Sequence, residues 1–86
     1  MIILTRFDSM LGVDTPITRD ECADWDAVAG ALTHYEISQF SGQQLSDFHA
    51  EQPADTITFE RREFVNCGVS AYSANVRYVI DAGAAG

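Results

Sequence analysis

Two histidines, two cysteines and thirteen carboxylates are the groups here that could carry acid–base, nucleophilic or metal chemistry. His34 and His49 lie near Glu36 and Asp47, but their spacing matches no metal motif. Zinc needs three or four ligands of compatible geometry. A reactive thiolate needs a helix N-terminus or a neighbouring cation to lower its pKa. Cys22 instead sits among Asp20, Glu21 and Asp24, and acids raise a thiol pKa. Cys67 has no adjacent base. Both cysteines read as reduced and structural, and no disulfide is expected between them. Asp24 and Asp26, two apart on a helix, point about 200° apart and cannot share a substrate. Arg61 and Arg62 are adjacent on a strand and face opposite sides, so they make no joint phosphate clamp. The glycines are scattered and form no phosphate loop. The expectation is a protein that is not an enzyme and holds no metal and no cofactor.

Charge is the more informative signal. The net charge is −8, lysine is absent, and all five cations are arginines: Arg6, Arg19, Arg61, Arg62 and Arg77. Residues 1–55 hold ten acids against two arginines, while residues 56–86 are balanced. Direct nucleic-acid binding is disfavoured, because phosphate neutralisation needs clustered cations. Attraction to a basic protein is favoured. A solvated acidic face that merely keeps a small domain in solution is the plainer reading.

The elements that carry these groups follow from pattern. Ile2 to Phe7 is β-branched and apolar on both faces, which predicts an interior strand. Residues 8–16, with Gly12, Asp14 and Pro16, read as a loop. Thr18 followed by Glu21 forms a capping-box signature, with Ile17 and Cys22 placed as a hydrophobic staple. Cys22, Trp25, Val28, Ala29 and Leu32 recur at helical spacing. These signals predict a helix over 19–33, with Gly30 allowing another element close approach. Residues 34–40 read as a connection with some extended character. Ser41 and Gln44 make a second capping box, and Pro53 ends the helix that follows, predicted over 42–51.

The last third is rich in strand formers. Ile57 and Phe59 share a face, Phe64 falls out of phase, and a bulge near Arg61 and Arg62 would absorb the slip. Tyr72, Ala74, Val76, Tyr78 and Ile80 alternate strictly with Ser73, Asn75, Arg77, Val79 and Asp81, as in a half-buried strand. Residues 66–70 connect the two runs into an antiparallel hairpin, and 82–86 read as a frayed tail. Trp25, Phe59, Tyr72 and Tyr78 fit core positions. Tyr35 and Tyr78 also suit an interface.

The expected architecture is a single α+β domain over 1–86. A small antiparallel sheet of about three strands, including the C-terminal hairpin, packs against one long and one short helix on one face. No stretch approaches the ~20 apolar residues that span a bilayer, and the N-terminal apolar run lacks a basic leader. A cytoplasmic protein with no membrane association is therefore expected.

In size, acidity and lack of a catalytic signature the chain resembles the broad class of small inhibitor and immunity proteins. Phage anti-CRISPR proteins, nuclease immunity proteins and DNA mimics belong there. The resemblance implies an inhibitor or accessory protein that docks on a basic, nucleic-acid-handling partner. The candidate docking residues are Asp20, Asp24, Asp26, Asp47 and Glu51. Asp20 and Asp24, four apart on the expected helix, would repel with no cation to relieve them. The alternative is a homo-oligomeric structural or accessory domain, recognisable by an open strand edge or apolar patch that a second copy covers. A pocket near His34, Tyr35 or His49 would favour a small-molecule site, for which so small a domain has little room.

Overall fold

A computed structural model describes residues 1–8, 16–52, 55–66 and 71–83. The chain runs β1 (Ile2–Asp8), β2 (Pro16–Cys22), α1 (Trp25–His34), α2 (Gly42–Glu51), β3 (Thr56–Asn66) and β4 (Ala71–Asp81). The strands form one antiparallel sheet in the order β2-β1-β4-β3. The α+β class, the hairpin and the interior first strand are as the sequence predicts. The sheet has four strands rather than about three, and the two helices are equal at ten residues each.

The difference traces to residues 16–22. The capping-box signature at Thr18 does not start a helix. These residues pair with β1 instead, Cys22 opposite Ile2 and Asp20 opposite Leu4. Ladder pairing with a buried apolar strand satisfies more backbone groups than a cap does, and it overrides local propensity. Helix α1 begins later, where Asp24 is the N-cap and accepts a 2.8 Å hydrogen bond from the Ala27 amide. Val28 and Leu32 of the expected stripe are fully buried on it, while Cys22 reaches the core from β2.

The end of α1 explains residues 34–40. Glu36 adopts φ 66°, the Glu36 amide donates to Thr33 O and the Ile37 amide to Leu32 O, each at 2.9 Å. This is a Schellman cap, closed by Ile37 and Leu32 in the core. Helix α2 starts at Ser41 with both bonds of the expected capping box formed.

Gly30 has open space around it, so it serves no close approach. Gly42 does: a Cβ there would lie 2.8 Å from the Asp26 backbone nitrogen, where the two helix N-termini meet.

One sheet face supplies Ile2, Leu4, Val76, Tyr78 and Ile80 to a core shared with Val28, Leu32 and Leu45 of the helices. The β3–β4 register is continuous from Thr56↔Asp81 to Asn66↔Ala71, so there is no bulge at Arg61 and Arg62. The inward positions after Ile57 and Phe59 are taken by Arg61 and Glu63, and Phe64 simply faces out, 74% exposed. The sheet's register shift lies between Arg6 and Phe7 of β1. The expected loop at 9–15, the turn at 67–70 with Cys67, and the tail beyond 83 fall outside the described residues.

Candidate binding surfaces

Polar residues on the inner sheet face form one connected network. Glu63 is its hub. Arg6 Nη2 donates to Glu63 Oε1 and Arg61 Nε to Glu63 Oε2, each at 2.9 Å. The Tyr78 hydroxyl also donates to Glu63 Oε2. The Arg6 guanidinium lies 4.1 Å from the Tyr35 ring centroid, and Arg61 donates to Tyr35 O at 2.6 Å. Phe59 stacks on Tyr78 with centroids 4.8 Å apart.

Burial alone would raise the Glu63 carboxyl. Hydrogen bonds from Tyr78, Arg61 and Arg6 outweigh it and hold the group below the usual carboxylate range. Burial and Glu63 push the Tyr78 hydroxyl up. Arg6, Arg61 and Tyr78 thus all donate to acceptors within the protein. The arrangement ties the sheet face to the end of α1. It also shows how Arg61 and Arg62 divide between faces, as strand geometry requires.

The expected docking acids separate into two groups. Asp20 lies on β2 and accepts a 2.6 Å hydrogen bond from the Tyr35 hydroxyl, so it sits apart from any exposed helix face. The other four lie along the helical layer. Asp24 and Asp26 open α1 beside Gln43 and Ser46 of α2, around a shallow cleft that also holds Trp25 and Gly42. Gln43 donates to Asp47 at 2.8 Å. Glu51 follows Asp47 at i+4, so Gln43, Asp47 and Glu51 form one exposed stripe.

No arginine or lysine occurs in residues 23–52, while all five arginines lie on strands. The helical layer is therefore purely anionic and the sheet holds every cation. The cation-free run 23–52 is countable in the sequence, but its gathering into a layer is not. That gathering appears only once β2 is recognised as a strand.

A second surface was not anticipated. Between α2 and the outer strand β3 runs a groove of about 510 Å³, lined by Phe40, Leu45, Phe48, Ile57 and Phe59. Phe40 and Phe48 are 38% and 48% exposed at its mouth. It opens because α2 packs chiefly on α1. The Leu45 and Phe48 spacing was visible in sequence, but it reads equally as ordinary helix core.

The histidines take part in ring contacts. His49 lies against Trp25, centroids 5.2 Å apart, and His34 against Tyr35 at 5.5 Å. Among the described residues no group of His, Cys, Asp and Glu could hold a metal ion. Also among them, no helix is long and apolar enough to cross a membrane. Cys22 is a free, buried thiol. Comparison with protein-family models, with curated proteins and with solved structures finds no match to this chain.

Proposed function

We propose that this protein is a cytoplasmic binding module, not an enzyme, whose helical layer docks on a protein with a basic surface. The observation that supports this is the anionic layer itself. Asp24, Asp26, Asp47 and Glu51 share it with no cation between them. Its field draws a basic partner in and orients it before contact. Proteins that handle nucleic acids present such basic surfaces, so the reading extends to an inhibitor or accessory factor for one of them. Asp20 drops out of the docking set because Tyr35 holds it.

The chain's lack of lysine provides a direct test. Carbodiimide coupling in an extract of the native host joins its carboxylates to a partner's amines, with no lysine of its own to compete. Mass spectrometry should place the cross-links on Asp26, Asp47 and Glu51. Cross-links concentrated on Glu21 or Asp81, on the sheet side, would refute the reading.

A further inference from the structure

Among the described residues nothing pairs with the outer edge of β3, which is long and regular. The strand ends the sheet, its eleven residues keep unbroken register with β4, and it carries no proline, lysine or bulge. Native edges are usually blocked by such devices or by charged side chains, and the charges on β3, Glu60, Arg61, Arg62 and Glu63, are of both signs, so they select a partner strand rather than bar every one. The β1–β4 pairing stops at Asp8↔Val76. Beyond it, residues 62–66 and 71–75 form a ribbon of two strands among the described residues, and a ribbon of two strands is marginal in water.

The order of charges on the outward face of β3 narrows what can cover this edge. Glu60 and Arg62 are both exposed on that face, on either side of position 61. A symmetric antiparallel pair of identical strands has its two-fold axis perpendicular to the sheet, and opposing residues then point the same way. With Arg61 opposite Arg61 of the copy, Glu60 faces Arg62 of the other chain, twice. The same register sets Phe64, the most exposed large apolar side chain described, against Thr58. Arg61 tolerates its own symmetry mate because Glu63 and Tyr35 O already hold it. Moving the axis one residue back sets Glu60 against Glu60, and one residue forward sets Arg62 against Arg62.

We infer that β3 pairs with β3 of a second copy of this chain in that register, giving a dimer with one continuous eight-stranded sheet. The pairing adds a third strand to each projecting ribbon. It lays the end of each ribbon over the neighbour's groove, where Phe40 and Phe48 are exposed. A perpendicular two-fold keeps both helical layers on the same side of the sheet. This inference rests on β3 and stands or falls separately from the acidic docking face.

Sedimentation across a concentration series tests it, with circular dichroism confirming that each variant folds. The natural chain should pass from monomer to dimer. Arg62→Glu and Glu60→Arg each turn two attractive pairs into two repulsive ones and should weaken self-association by about tenfold or more. An equimolar mixture of those two variants restores every pair and should form the heterodimer. A misfolded variant could not produce that rescue. A natural chain still monomeric at millimolar concentration would overturn the inference, as would variants that dimerise unchanged. A mixture no tighter than its components would overturn it too, and would leave the edge to a strand of some other protein.

Discussion

The Tyr35 hydroxyl donates a 2.6 Å hydrogen bond to Asp20 Oδ2, tying the end of α1 to the middle of β2. The same hydroxyl lies 3.2 Å from Thr18 Oγ1. Thr18, the expected helix cap, and Asp20, expected in the first turn, are thus strand residues held by the far end of the helix. This single contact takes Asp20 out of the proposed docking surface and into the scaffold. It leaves the acidic face to Asp24, Asp26, Asp47 and Glu51.

Glu63 should make stability depend on acid. Its carboxyl is held below the ordinary range, so its contribution is fully present above the unfolded pKa of ~4.3 and is lost as pH falls through the folded value. Glu63→Gln leaves Arg6 and Arg61 without their charge partner and should cost about 3 kcal/mol at neutral pH. The variant should also lose less stability than the natural chain on acidification. Denaturant melts at pH 7 and below the carboxylate range measure both effects.

The two helix glycines should respond oppositely to alanine. Gly30 is exposed with nothing near its Cβ position, so Gly30→Ala should raise stability by about 1 kcal/mol. Gly42→Ala drives a methyl into the Asp26 backbone and should destabilise, since backbone cannot yield as a flexible side chain can. Paired thermal melts show whether the signs differ.

Cys22 should be inert in the native state. It is 4% exposed, and burial, then Asp20 and Asp24, push its thiol up. In a Cys67→Ser chain, Ellman's reagent should label Cys22 slowly without denaturant and completely with it. Rapid native labelling would show that β2 does not seal the core at Ile2.

Much of this was legible in residue pattern. The Ala74–Ile80 alternation, the Ser41–Gln44 box and the two-sided apolar β1 each report a local rule that the tertiary fold leaves intact. Residues 16–22 were not legible because Ile17, Thr18, Glu21 and Cys22 satisfy a helix-start rule, while the polar run Thr18 to Glu21 offers no apolar alternation to mark a strand. Only pairing with β1 makes them a strand. Phe64 misled for a related reason. Arg61 and Glu63 occupy core-facing positions because Arg6, Tyr35 and Tyr78 complete them, and a polar inward pair mimics a register slip. The four acids of the proposed docking surface were named from the sequence. Their gathering into one layer free of cations depends on β2 taking Arg19 to the sheet.

On the proposed reading the anionic helical layer draws in a basic partner. Surface plasmon resonance at two ionic strengths, against the partner identified by carbodiimide coupling, tests it most directly. Opposed charges across a rim act mainly on association, and salt shortens their reach. A chain with Asp26→Asn, Asp47→Asn and Glu51→Gln, which spares the Asp24 cap, should associate more slowly and with a flatter salt dependence. Neutralising Glu21 on the opposite face should change little, since Arg19 pairs with it at 2.9 Å. Equal effects from both changes, or association indifferent to salt, would contradict the account.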